Sequence, residues 1–194
     1  MKINFFVIVA LLAASCGPKD YSKSHRQFVE EYRAEKDDLM SSEESPFESP
    51  GEKEVRLKYY PIKSDFAVIA KIKRIENGGK LTLGTSDGVP REYLKFAYAH
   101  FTLHESPHQL LILKSTSEDA HLFLGFSDLT SDETTYGGGR YIDLNFDQAK
   151  SITLDFNMAY NPYCEYNASY SCPLPPMENK LNIAIEAGEK IYSY

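Results

Sequence analysis

The chain has 194 residues, of which 42% are hydrophobic and 25% charged, with a formal net charge of −7. That length suits one domain with its own core, the apolar fraction excludes wholesale disorder, and an acidic balance without a basic cluster excludes nucleic acid as a partner, because phosphates demand concentrated Lys and Arg. The 14 Tyr and 11 Phe, with no Trp, favour half-buried strands.

At the N-terminus Lys2 precedes the apolar run Ile3–Leu12, followed by Ala13, Ala14, Ser15 and Cys16. The run is too short to span a bilayer and reads as an export signal. Leu12-Ala13-Ala14-Ser15-Cys16 resembles the bacterial lipobox, whose cysteine receives a diacylglycerol and becomes the mature N-terminus. The resemblance implies a signal peptide over 1–15, lipidation at Cys16, a tether over 16–23 and a folded domain over 24–194. Its implied partner is the membrane, through the lipid, because two acyl chains anchor stably where one is marginal. Gly17 after the cysteine is similar to lipoproteins sent on to the outer membrane, so the expected location is the cell envelope.

From Ser24 to Met40 the spacing predicts a helix. Phe28, Tyr32 and Leu39 recur near one face with Val29 beside them, while Glu30, Glu31, Arg33, Lys36 and Asp37 point elsewhere, and Ser22 or Ser24 is the expected cap. Residues 41–53, with two Ser-Pro pairs and a Gly, read as a loop whose Phe47 can tuck into the core. The period then changes to two. Val55–Tyr60, Phe66–Ile75, Lys80–Thr85, Tyr93–Leu103, Gln109–Lys114, His121–Phe126, Tyr141–Asn145, Ile152–Phe156 and Leu181–Glu186 make about nine strands, with Asn77-Gly78-Gly79 as a hairpin turn between the second and third. Tyr93–Leu103 carries apolar weight on both faces and is expected at the centre. Because the links are short, the strands must be mostly antiparallel. The expected fold is mainly β, a barrel-like or sandwiched antiparallel sheet with one N-terminal α-helix.

The chemistry-bearing residues crowd into Phe126–Glu189. Cys164 and Cys172, in a chain addressed to an oxidising compartment, read as a disulfide worth about 2.5 kcal/mol on the loop-entropy model. No His follows His121, which disfavours zinc and a His-activated thiol. His104 and His108 flank a turn that can clip a metal or simply be solvated; no resident metal and no cofactor is expected. Tyr136-Gly137-Gly138-Gly139-Arg140 is either a ligand loop, with a planar fork for a carboxylate or phosphate, or a turn whose Arg140 pairs internally with Asp143 or Asp155. Asp128, Asp132, Glu133, Asp143 and Asp155, with Asn157 and Asn161, can supply oxygen ligands or a carboxylate pair for glycoside chemistry, or simply start turns and cap amides. Ser127 and Ser171 lack the nucleophile-elbow context.

Phe126-Ser127-Asp128-Leu129-Thr130, Thr135 to Tyr141, Leu154 to Cys164, Cys172 to Leu181 and Ala187-Gly188-Glu189 together resemble the family known as domain of unknown function 1684. The resemblance covers nearly all the chain after the leader. It implies an uncharacterised bacterial and archaeal domain with no established catalytic residues to carry over. Glu165 stands where related sequences tend to have Ala.

These readings combine in one expectation: Tyr136, Arg140, Asp155, Asn157, Asn161 and Asn179 gather in space, where they bind a small polar ligand or lock the fold. A ligand-binding or accessory module of the envelope leads, and a carboxylate-dependent hydrolase acting on glycans is the alternative. An open pocket with two acids favours the enzyme; a cluster closed by internal hydrogen bonds favours a scaffold.

Overall fold

In the computed structural model, which describes residues 21–47, 51, 54–116 and 121–192, seven strands form one antiparallel sheet curled into a half-barrel. They are β1 (Ala67–Arg74), β2 (Lys80–Leu83), β3 (Arg91–Leu103), β4 (Ser106–Ser115), β5 (Leu122–Phe126), β6 (Arg140–Leu144) and β7 (Ser151–Asp155). Their order is β6-β5-β4-β3-β1-β7, with β2 also paired to β3. The expected mainly β fold is thus present. The signal peptide, Cys16 and residues 16–20 of the tether lie outside the described residues.

β3 and β4 form the spine, paired from Tyr93 opposite Ser115 to Leu103 opposite Ser106. Their turn places His104 and Glu105 at φ 49° and 62°, the mirror-image geometry whose twist matches a hairpin. His104 packs edge-on against Phe66 and is otherwise exposed to solvent. One face of β3 carries Ala97, Ala99, Phe101 and Leu103 into the main core with Leu110, Ile112, Leu124 and Phe126. Tyr93 joins a second cluster with Leu83, Leu111, Leu113 and Phe123 on the other face. The strand buried on both sides is therefore central, as its composition requires.

Three local expectations are corrected. Asn77-Gly78-Gly79 is not a hairpin turn: β1 and β2 run end to end along the same side of β3. Asn77 does adopt positive φ, 52°, but Ile75 N donates to Phe96 O and Lys95 N to Gly79 O across the insertion, so it bulges without reversing the chain. A Cβ on Gly78 would lie 1.9 Å from the Lys95 carbonyl oxygen, which only glycine avoids.

Val55–Tyr60 and Leu181–Glu186 are not strands. The first makes a single bridge, Tyr59 to Glu189, and its Leu57 N–H goes to Asp37 Oδ1 at 3.0 Å. The second makes only short parallel contact with residues 127–129, Leu181 N donating to Ser127 O and Leu129 N to Ile183 O; beyond that Asp128 accepts from Ile185 N, and Arg140 donates to the Ile185 carbonyl. The backbone groups are satisfied without a ladder.

The one α-helix among the described residues, α1 (Tyr21–Met40), contains Ser22 and Ser24 rather than being capped by either. Its contact face is also rotated from the apolar reading. Phe28 is 56% exposed whereas Val29 is fully buried. Arg33 donates to Tyr60 O and Asn157 O, and Lys36 Nζ sits 3.7 Å above the Tyr160 ring. The helix docks largely through charged and polar groups, which a hydrophobic period does not report. Its last residue, Met40, joins Val55, Leu57 and Tyr166 in a third cluster, and Phe47 packs there as expected.

Candidate functional site

Arg140 heads β6 directly after the triple glycine. Gly139, at φ 86°, lets the turn pass the Phe126 carbonyl, which a Cβ would meet at 2.6 Å. The arginine that follows is only 1% exposed. Its Nη2 donates to Asp128 Oδ2 and Ile185 O, both at 2.9 Å, and its Nη1 to Ala187 O at 2.5 Å and Glu189 O at 3.2 Å. The internal partner is Asp128, not the expected Asp143 or Asp155. Asp128 Oδ1 in turn accepts from Thr130 N, Thr130 Oγ1 and Ile185 N. Burial pulls the guanidinium down from its ordinary value, and Asp128 opposes that pull. This arginine fixes the C-terminal segment against the sheet.

Asn179 serves another seam. β4 and β5 are registered only at Leu113 with Phe123 and Lys114 with Leu122. Farther along, Asn179 Nδ2 donates to Leu111 O at 2.9 Å and Gly125 O at 2.7 Å, while its Oδ1 accepts from Leu111 N at 2.6 Å. A buried side-chain amide thus replaces the missing peptide group where the strands part.

Asp155 and Asn157 hold the helix. Asp155 Oδ1 accepts from the backbone N and Nδ2 of Asn157, and its Oδ2 meets His25 Nε2 of α1 at 2.7 Å. Asn157 also closes a two-way bond with the Lys63 backbone. Asn161 belongs to a further group: its N and Nδ2 donate to the two oxygens of Glu189, each at 3.0 Å, and the Tyr166 hydroxyl donates to Glu189 Oε1. Burial raises the Glu189 carboxyl to about 7, against the hydrogen bonds from Tyr166 and Asn161 and the charge of Lys36. Neither Glu189 nor Tyr166 was singled out as a site residue from the sequence, because an acid and a phenol far apart in the chain carry no local motif.

Tyr136 stands apart from these, its hydroxyl 3.6 Å from Cys164 Sγ. Cys164 and Cys172 are free thiols, which corrects the expected disulfide. The Cys164 amide donates to Cys172 Sγ at 3.1 Å, so the two thiols lie side by side without being bonded. The six residues picked from the sequence therefore divide among several hydrogen-bonded groups. Most of their donors and acceptors are consumed internally.

The open surface lies elsewhere. A cleft of about 560 Å³ is lined by Arg91, Glu92, Tyr141, Asp143 and Tyr160 among others, and none of the six lines it. A second, of about 360 Å³, shares Tyr141, Asp143, Tyr160 and Pro173 with the first and adds Lys36, Tyr163 and Tyr170. The two meet at those shared residues. Tyr160 donates to Asp143 Oδ1 at 2.6 Å and Tyr141 to Pro173 O at 2.6 Å. Burial and Asp143 push the Tyr160 phenol up; burial pulls Lys36 down, opposed by Asp143 and Glu189. Two acids face the larger cleft, but both are exposed, Glu92 paired to Lys80 and Asp143 to Tyr160. Among the described residues no group of three His, Cys, Asp or Glu side chains can hold a metal ion.

No curated protein matches this sequence. The solution NMR structure of an uncharacterized protein from gene locus rrnAC0354 of Haloarcula marismortui is similar, with 34% identity and a TM-score of 0.67 over 87% of this chain and 95% of that one. The internal bonds just described run from the Val55 segment through Arg140 and Asn179 to the Glu189 carboxyl. Residues 55–190 match the model described as Protein of unknown function (DUF1684), and the chain belongs to that family.

Proposed function

We propose that this chain is a lipid-anchored envelope domain that binds a small polar ligand in the joined clefts around Tyr141, Asp143 and Tyr160. The observation that carries the reading is the larger cleft, about 560 Å³ of space where tyrosine rings, a carboxylate and Arg91 converge. That size suits a small molecule, and rings with a few fixed polar groups supply stacking and orientation. Asp143 is exposed and engages Tyr160 through Oδ1, leaving Oδ2 to accept from a ligand. A hydrolytic role fits less well, since a general acid needs a carboxyl in a proton-holding, apolar setting, and both cleft acids are solvent-facing.

Thermal unfolding against a panel of amino acids, sugars and nucleotides tests this. A compound present at one hundred times its dissociation constant stabilises by about 2.7 kcal/mol. The gain is expected to vanish in Asp143→Ala and to weaken in Tyr160→Phe. If no compound shifts the melting temperature, or both variants respond as the wild type does, the cleft is not a binding site.

The anchor rests on Leu12–Cys16 and is tested separately. Expressed from its full sequence in a bacterium, the chain is expected in the membrane fraction, and Cys16→Ser is expected to release it. An unchanged distribution in that variant removes the lipid from the account.

A further inference from the structure

We propose that Cys164 and Cys172 form a thiol–disulfide exchange site, with Cys164 as the attacking thiol and Cys172 as the resolving one. The roles follow from unequal access. Cys164 is half-buried, whereas Cys172 is only 6% exposed. An incoming disulfide reaches the first, and the second waits behind it within hydrogen-bonding distance. The proposal does not depend on what the clefts bind.

The surroundings prepare Cys164 for attack. It receives a hydrogen bond from the Cys172 thiol, and the hydroxyls of Tyr136 and Ser86 add to it; against burial, these hold Cys164 down at about 6. Cys172 is pushed upward, because its proton is the one donated to Cys164 and because it is buried. Glu165 faces the pair from the Cys164 turn, Tyr141 from β6 and Arg91 from β3, the last favouring ionised Cys172. The thiolate is the nucleophile, so this bias selects Cys164.

The two cysteines are held by different parts of the fold. Cys164 sits on the short helical turn Tyr163–Glu165. Cys172 is pinned to the loop after β2, with Ser86 N donating to Cys172 O at 2.9 Å and Cys172 N to Ser86 Oγ at 3.0 Å. Cys172 Sγ already lies 3.1 Å from the Cys164 amide, so the pair can close without moving a strand.

The step balances against an external disulfide, either a small-molecule one or one exposed on a protein. The Cys164 thiolate attacks one sulfur, the disulfide bond breaks, and the expelled thiolate takes up the proton released from Cys164. Cys172 then attacks the Cys164 sulfur of the mixed disulfide, and its proton goes to the second departing thiolate. One disulfide forms, one is reduced to two thiols, and two electrons leave the pair.

The test uses the full chain, with peptide mapping to separate Cys164 and Cys172 from Cys16. Iodoacetamide is expected to label Cys164 at least about tenfold faster than Cys172, with the rate half-maximal near pH 6. In Tyr136→Phe, which keeps the ring but removes the hydroxyl, that profile is expected to move to higher pH. Oxidised glutathione is expected to convert the pair to a disulfide that excess reduced glutathione reverses. Cys172→Ser is expected to accumulate the mixed disulfide on Cys164. Equal labelling of the two thiols overturns the proposal. So does a bond that persists in excess reduced glutathione, which marks a permanent staple, or a pair that stays reduced in the oxidised reagent.

Discussion

Arg140→Met is expected to lower the unfolding free energy by about 3–5 kcal/mol, measured as a fall in the urea midpoint with little change in slope. The loss comes from what remains behind. Asp128, buried at 4% exposure, keeps a charge with no cation beside it, and the carbonyls of Ile185, Ala187 and Glu189 lose their donor. Methionine fills the volume without supplying any of those bonds. Since a domain of ordinary stability holds only about 5–15 kcal/mol in total, the single variant removes a large share of it. Arg140→Met combined with Asp128→Leu removes both charges and is expected to recover part of the loss, because the orphaned carboxylate is then gone. A single variant within about 1 kcal/mol of wild type would show that the segment is held by packing alone.

The same arginine marks the limit of what the sequence discloses. Its special position after three glycines was legible, and so was an internal pair as one of its two possible roles. Its partner is not, because spacing along the chain does not rank Asp128 above Asp143 or Asp155, and Asp128 reaches Arg140 only once the turn between them is folded. Tyr93–Leu103, apolar on both faces, is the central strand its composition requires. Leu181–Glu186, which alternates cleanly, is not one: after short backbone bonds to residues 127–129, its Ile185 backbone groups go to Arg140 and Asp128. Local pattern reports which side chains alternate; it does not report which long-range polar group occupies the edge.

The helix shows the complementary failure. Its existence is plain from spacing, yet that spacing points Lys36 and Arg33 away from the apolar face. Both instead lie over tyrosine rings, Arg33 at 4.5 Å from the Tyr59 centroid. A long cationic side chain lays its stem on apolar surface and its head on a π face. The joined clefts were invisible for a related reason: their walls come from α1, β3, β5, β6 and the 160–173 segment, and no one of these stretches carries a binding signature alone. Tyr160 to Tyr170 lie inside the crowded Phe126–Glu189 stretch. What composition lacked was Lys36 from far upstream, closing one side.

Glu189 gives the second large effect, and its sign is set by proton counting. An ordinary glutamate in the unfolded chain titrates near 4.3, and in the folded chain burial holds this one at about 7. Between those values the folded chain binds the extra proton, so unfolding releases it and stability falls as pH rises. The contribution is fully present below the unfolded value and is lost once pH passes the folded one. At about 1.4 kcal/mol for each pH unit, the decline across the window is on the order of 3 kcal/mol. Burial also raises Asp37 and Glu165, which adds to the decline, while the lowered Cys164 thiol opposes it above about 6, so the wild-type curve alone does not isolate Glu189. Glu189→Gln does. The amide keeps an oxygen for Tyr166 and Asn161 Nδ2 but turns donors towards the Asn161 backbone N–H, which adds a constant offset of about 1–3 kcal/mol. That offset moves the whole curve without tilting it. Urea unfolding measured from acid to mildly alkaline pH is therefore expected to show a slope in the wild type that is much flatter in the variant. Equal slopes in the two would mean that the Glu189 carboxyl stays ionised throughout, held charged by Tyr166, Asn161 and Lys36 against its burial.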